Sequence, residues 1–199
     1  NMQGLLNMVS EDYPTTSEFA TFIKKMQIVT DLMCDKITGL NKVIAVKSTF
    51  SELKDEIAFS DIFNNIKLSH SVEIIESRVI IKESFLNYSK INYNRFQLES
   101  VLQNLMSNAL KYRDPNRRLV IEIGTNMIEG KIHLTFKDNG LGFEQKFEDK
   151  IFGLFKRMHT HVDGLGIGLY IISSIICKNG GKIDVASQVN EGTEFDIQF

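Results

Sequence analysis

RFQLESVLQNLMSNALKY, residues 95–112, decides how this chain is read. On a helical wheel Leu98, Val101, Leu102, Leu105 and Ala109 share one arc. Asn104, Asn108 and Lys111 cluster within about 60° of one another on a separate arc. The first arc is a core face. The second carries two carboxamides and an ammonium, one turn apart. It reads either as an ordinary solvated face or as a site. A carboxamide oxygen is a hard neutral ligand suited to Mg²⁺, and a lysine one turn on can meet a phosphate as a point charge.

Around this helix the pattern alternates between strands and helices. Arg78–Phe85 is β-branched and strand-like, and Ile91–Tyr93 is a second short strand. Leu119–Met127 and Lys131–Lys137 predict a hairpin around Glu129-Gly130. Gly166–Lys178 is a helix, and Lys182–Ser187 with Thr193–Phe199 close the chain as another hairpin. From Leu53 to about Glu76, the spacing of Ile57, Ile62, Ile66 and Ile74 predicts helix. Helices mixed with mainly hairpin-connected strands make an α+β fold, a two-layer α/β sandwich.

Two glycine motifs flank a long segment. Asp138-Asn139-Gly140-Leu141-Gly142 follows a strand; its spaced glycines let backbone approach a flat ligand, and the carboxylate can accept from an exocyclic amine. Asp-Asn-Gly is equally at home in a plain strand-end turn. Gly164-Leu165-Gly166-Ile167-Gly168-Leu169 opens a helix, where free N–H groups can bind phosphate. Its GxGxG spacing is neither the dinucleotide fingerprint nor a P-loop. Between them, Ile151 to His159 (IFGLFKRMH) reads as a lid or as a surface helix with Phe152 and Phe155 in the core.

Residues 1–50 read as a helical hairpin with its turn at Asp12–Thr16. In the second helix Phe19, Met26, Met33 and Leu40 repeat at seven, with Phe22, Val29 and Val43 three residues later and Lys36 breaking that series. Ile23, Ile37 and Ile44 form a second stripe, with Thr30 between them. Two apolar stripes suit a four-helix bundle, so a homodimer is the natural completion. A hairpin packed on its own globular domain is the other option.

The composition excludes several classes. The 199 residues are 43% hydrophobic with a net charge of −2, which argues against disorder and against a strongly basic nucleic-acid binder. The 2 cysteines, Cys34 and Cys177, stand in no metal or redox spacing, which favours a reducing cytosol over a disulfide scaffold. No apolar run is long enough for a membrane span. A soluble, cytoplasmic chain is expected, with no membrane contact within it. Any anchor is assigned to a longer protein from which the chain, starting at Asn1, is cut.

The motifs gain specificity from their order. NxxxNALKY, DNGLG, FGLFKR, GLGIGL and then Gly192-Thr193-Glu194-Phe195 closely resemble the ATP-binding domain of the sensor histidine kinases, the Bergerat-type fold, across residues 53–199. The hairpin at 1–50 is similar to the dimerisation and phosphoacceptor module preceding that domain. The resemblance implies ATP and Mg²⁺ as ligands, and transfer of the γ-phosphoryl group to a histidine, then to an aspartate of a response-regulator receiver domain. It implies that Asn108 holds Mg²⁺, that Asn104 lies near the phosphates and that Lys111 touches one. Tyr112 would pack by the adenine, and Asp138 would accept from its amino group. Gly140 and Gly142 would open the adenine pocket, with Thr193 on its floor. Phe152, Phe155 and Arg157 would belong to the lid, Arg157 reaching the γ-phosphate. Gly164, Gly166 and Gly168, followed by Leu169, would cradle the phosphates. Lys156 is left open between lid surface and phosphate contact.

Two departures carry information. Hydrolytic ATPases of this fold place a Glu base four residues before the Mg²⁺-binding Asn. Here that position is Asn104, whose amide cannot take a proton from water. A degenerate scaffold that only dimerises is disfavoured by the intact Asn108, Asp138 and glycine motifs. The phosphoacceptor histidine with its acidic neighbour is missing: His70, His133, His159 and His161 all lack that setting. The histidine is expected upstream of Asn1, so this chain is expected not to phosphorylate itself.

Overall fold

The computed structural model describes residues 18–48, 54–85, 88–148, 150–158 and 165–199. It divides between Ala45 and Val46 into two units. The expected first helix and its turn lie outside the described residues.

Helix α1 (Glu18–Ser48) runs for 31 residues, all but its last three in the first unit. Ile23 and Thr30 are buried, and Thr30 Oγ1 donates to the Met26 carbonyl at 2.8 Å, turning an otherwise polar side chain back onto its own helix. Met26, Met33 and Leu40 are exposed, as are Phe22 and Val29. The seven-residue seam therefore lies on the surface of the single chain. The second stripe is split: Ile23 is buried, whereas Ile37 and Ile44 are exposed.

The second unit opens with β1 (Asp55–Ala58), α2 (Phe59–Ser69), α3 (Ser71–Glu76), β2 (Ile80–Ser84) and β3 (Lys90–Tyr93). It continues through α4 (Arg95–Lys111), β4 (Val120–Ile128) and β5 (Lys131–Asp138) to α5 (Gly168–Lys178), β6 (Lys182–Gln188) and β7 (Gly192–Gln198). A five-stranded sheet has the order β2-β4-β5-β7-β6, and β1 pairs with β3 as a separate ribbon. The β2–β4 pair is parallel, a crossover through β3 and α4 that hairpin connections alone would not make; the other pairs are antiparallel.

Helix was expected from Leu53 onward, but Asp55–Ala58 is a strand. Ile57 stands opposite Ile91 across the ribbon, and both are buried. Cross-strand packing overrides a helical spacing that one isoleucine happened to satisfy.

The sheet alternates cleanly. Ile121, Ile123, Leu134, Phe136, Phe195 and Ile197 are buried, whereas Glu122 and Lys137 between them are exposed. One face meets the helices and the other meets water. The buried arc of α4, Leu98 to Ala109, forms the core with Ile172, Ile175 and Ile176 of α5. Asn94 caps α4 by accepting from the Gln97 N–H at 3.0 Å. That cap fixes where the helix begins, and hence which way its polar arc points. Among the described residues, no helix is long and apolar enough to cross a membrane.

Candidate functional site

A cavity lies where the C-terminal half of α4, the end of β5, the segment 142–158, the start of α5 and β7 converge. Asn108 comes from α4 and Tyr112 from its C-cap, Asp138 from β5, Leu169 from α5, and Thr193 and Phe195 from β7. Gly142, Phe143, Ile151, Lys156, Arg157 and Met158 complete the wall.

Asp138 is its polar focus. The side chain is buried, and Oδ1 accepts from the Gly140 N–H at 2.8 Å. Burial pushes its pKa up to about 6, while bonds from the Gly140 and Thr193 backbone and the charge of Arg117 pull it back. A buried carboxylate on a wall shared with Phe143, Ile151, Leu169 and Phe195 can accept hydrogen bonds from donors on a ligand. Tyr112 is also pushed up by burial, against the pull of Arg157. Its hydroxyl is protonated at neutral pH.

The turn after β5 is built to hold this carboxylate still. Asn139 Oδ1 accepts from the Val120 N–H at 2.8 Å, and its Nδ2 donates to the Arg118 carbonyl at 3.1 Å. The Leu141 N–H donates to the Tyr112 carbonyl at 2.9 Å. Gly142 has φ +58°, and a Cβ there would stand 2.0 Å from the Gln188 carbonyl oxygen. Only glycine lets these two backbones meet. Ser187 finishes the corner: its hydroxyl accepts from the Phe143 N–H at 3.0 Å, donates to the Gly192 carbonyl at 2.9 Å and lies 3.0 Å from Thr193 Oγ1.

The expected lid follows a short 3₁₀ turn (Gln145–Phe147) and runs through further turns to Met158, with His159 outside the described residues. Ile151 anchors it in the core, while Phe155, Lys156 and Arg157 are exposed. Gly166 has φ +68°, and a Cβ there would stand 2.5 Å from the Lys156 carbonyl oxygen. The approach to α5 is thus packed backbone to backbone against the lid.

Of the sequence-read residues, Asn108, Tyr112, Asp138, Gly142, Arg157, Leu169 and Thr193 come together on the cavity wall. Asn104 does not line it. Its Nδ2 donates to the Ser100 carbonyl at 2.7 Å, and its Oδ1 faces the start of α5 at Gly168. Lys111 lines a separate groove with His70, Ser107 and Arg113, its Nζ 6.0 Å from the Tyr112 ring centroid. Gly140, Phe152, Phe155, Gly166 and Gly168 are absent from the wall, and Gly164 lies outside the described residues. Sequence reading missed Phe143 and the supporting Ser187, and it quoted Ile151, Met158 and Phe195 within motifs without assigning them to the wall. Phe195 stands in the quoted GTEF run and Phe143 directly after DNGLG, so adjacency to the motifs could have marked both.

Residues 93–199 match the family of histidine kinase-, DNA gyrase B-, and HSP90-like ATPases, and the chain belongs to that family. Cyanobacterial phytochrome A of Nostoc sp. is 30% identical over 199 residues, 98% of this chain and 25% of its own length. Histidine protein kinase SaeS of Staphylococcus aureus is 24% identical over 195 residues, 96% of this chain and 54% of its own. The solved structure of histidine kinase ThkA in complex with the response regulator protein TrrA is similar, with a TM-score of 0.69 at 18% identity, over 100% of this chain and 56% of that one. At that identity the likeness speaks for the fold. The chain spans between a quarter and about half of these curated relatives' length.

Proposed function

We propose that this chain is the ATP-binding catalytic part of a two-component sensor histidine kinase. Residues 53–199 are its catalytic domain, and residues 1–50 are part of a dimerisation and phosphoacceptor module. The observation that carries this reading is the buried Asp138 carboxylate on a cavity wall shared with Tyr112, Leu169 and Phe195, with Asn108 on the same wall. A flat base with an exocyclic amine fits such a slot, its amine on Asp138 and its faces on the apolar groups. Gly140 and Gly142 hold the turn that gives the base room, and Thr193 lines the floor.

Asn108 would hold Mg²⁺ through its carboxamide oxygen. Among the described residues, no group of three or more His, Cys, Asp or Glu side chains could hold a metal. Mg²⁺ keeps much of its shell as water and phosphate oxygens, so a single neutral protein ligand can serve it there. Bound there, Mg²⁺ supplies charge neutralisation at the phosphates. Arg157 brings positive charge from the lid to the γ-phosphate, and Lys111, which lines the separate groove beside His70, would reach a phosphate from the end of α4. Asn104, Gly166, Gly168 and Leu169 would shape the cradle at the start of α5, the sequence motif adds Gly164 to that set, and Phe155 would move with the lid. Catalysis by these groups is positioning and electrostatics. Asn104 leaves no base where a hydrolytic relative would need one, which favours phosphotransfer over hydrolysis.

The acceptor is a histidine absent from this chain, and the phosphoryl group passes on to an aspartate of a response-regulator receiver domain. The exposed stripe of α1 pairs with a second copy. The site of action is the cytoplasm, and the chain neither contacts a membrane nor binds nucleic acid. By itself the chain binds ATP without labelling any histidine.

Calorimetric titration of the 199-residue chain with ADP and Mg²⁺ tests the reading. Wild type should bind; Asn108→Ala should lose the Mg²⁺-dependent part of the affinity while unfolding at the same temperature. Equal Mg²⁺ dependence in the two proteins would remove Asn108 from the site.

A further inference from the structure

The corner around Asp138 is stitched together by an arginine that no motif contains. Arg117 sits in the loop between α4 and β4. Its Nη2 donates to the Gly140 carbonyl at 2.5 Å, and its Nη1 donates to the Asn190 carbonyl. Its Nε lies 3.6 Å from Asp114 Oδ2, and Asp114 is itself held by accepting from the Asn116 N–H at 2.9 Å. One planar guanidinium therefore ties together three segments distant in sequence: the α4–β4 loop, the turn after β5, and the turn between β6 and β7. The backbone runs the same stitch in parallel, with the Asn190 N–H donating to the Leu141 carbonyl at 2.7 Å.

We propose that Arg117 is a positioning residue for base recognition: by clamping Gly140 against Asn190 it fixes the turn whose Gly140 N–H holds the Asp138 carboxylate. The proposal rests on Asp138 being the base-reading group. The route is short. Arg117 fixes the Gly140 carbonyl, and the N–H of the same residue donates to Asp138 Oδ1. A lysine could supply the charge but not the two-pronged contact, because an ammonium is a point donor and a guanidinium a rigid fork. Arg117 also acts at a distance, since its charge lowers the proton affinity of Asp138 against the effect of burial. The other charged or titratable groups around that corner are Tyr112 at the C-cap of α4, Lys156 and Arg157 from the lid, and Lys137, Glu148, Glu191 and Glu194 on the groove behind it. None of them bridges the three segments.

The experiment is an ADP titration of the full chain from pH 5 to 8.5, for wild type, Arg117→Met, Arg117→Lys and Asp138→Asn, with thermal unfolding of each. Arg117→Met should bind ADP roughly tenfold more weakly at pH 7.5, in line with losing charge-assisted bonds. Its affinity should also begin to fall at a higher pH than in wild type. Arg117→Lys should restore the wild-type pH profile while leaving most of the affinity loss, because it returns the charge without the fork. A merely structural role would lower the unfolding temperature and leave the pH profile in place, and that result overturns the proposal. So does wild-type affinity in Arg117→Met. Should Arg117→Met fail to fold, Arg117→Lys decides alone: unchanged affinity in that variant overturns the clamp. Equal ADP affinity in wild type and Asp138→Asn would instead refute the reading of Asp138, a distinct outcome.

Discussion

Gly168 opens α5 directly against the side chain of Asn104: a Cβ at Gly168 would stand 2.8 Å from Asn104 Oδ1. Asn104 cannot simply swing away, because its Nδ2 donates to the Ser100 carbonyl one turn back. The two sequence motifs to which these residues belong are therefore one packed unit. Gly168→Ala should destabilise the chain by about 1 kcal/mol, the cost of a mild overpacking. In an Asn104→Ala background the same change should become neutral or stabilising, since the obstruction is gone and alanine loses less entropy on folding than glycine. Urea unfolding of the four proteins gives the coupling. Strict additivity would show that the contact carries no energy.

Asp138 should trade stability for recognition. Its pKa is raised from 3.8 to about 6, first of all by burial. Below about pH 4 the carboxyl is protonated in both folded and unfolded chains, and nothing is lost. Between about 4 and 6 the unfolded chain releases the proton while the folded one keeps it, so stability falls as pH rises. Above about 6 both are ionised and the penalty is constant, on the order of 3 kcal/mol. Asp138→Asn keeps an oxygen for the Gly140 N–H and carries no charge. It should therefore stabilise the empty protein at pH 7 by about 1–3 kcal/mol and flatten the pH dependence. It should also weaken ADP by about 1–3 kcal/mol, because an amide N–H then faces the amine. Reduced stability at pH 7 together with undiminished ADP binding would contradict both halves.

Gly166→Ala should loosen the lid. The added Cβ meets the Lys156 carbonyl oxygen at 2.5 Å and the Phe155 carbonyl carbon at 2.9 Å, and φ +68° is strained for alanine. Backbone cannot rotate aside as a side chain would, so the segment 153–157 must shift. Hydrogen exchange should quicken at Lys156, whose N–H donates to the Gly153 carbonyl at 3.3 Å. ADP affinity should fall several-fold. Exchange at Lys156 equal to wild type would mean that Gly166 does not hold the lid.

The parts legible in the sequence were those whose signal is local. The α4 wheel, the hairpin around Glu129-Gly130 and the closing β6–β7 pair all follow from periodicity and turn residues within one segment. The strand Asp55–Ala58 was hidden because its reason for being a strand is Ile91, more than thirty residues away. Ser187 and Arg117 were hidden for the same reason. A serine on a strand and an arginine in a loop have no pattern, and their meaning lies in Phe143, Gly140 and Asn190, which only the folded chain brings to them. Asn104, Asn108 and Lys111 share an arc on the wheel, yet the neighbours of α4 divide that arc. Asn108 faces the cavity, Asn104 faces α5, and Lys111 lines the groove beside His70.

The exposed stripe on α1 should control assembly and leave nucleotide binding alone. Met33 is 55% exposed and Val29 50%, in a seam of spacing seven that continues through Met26 and Leu40. Covering such side chains is worth about 1.5–3 kcal/mol each when burial is complete. A second copy presents the same stripe and can cover it isologously. Met33→Glu puts a charge in the middle of that seam, which costs more than the lost burial because the carboxylate must be desolvated. Sedimentation should show wild type associating with rising concentration and Met33→Glu remaining monomeric. ADP affinity should match wild type in the variant, because Met33 and the cavity belong to different units. A monomeric wild type at high concentration would remove the seam as a dimer contact. A variant that lost ADP binding along with association would instead tie the two units together energetically.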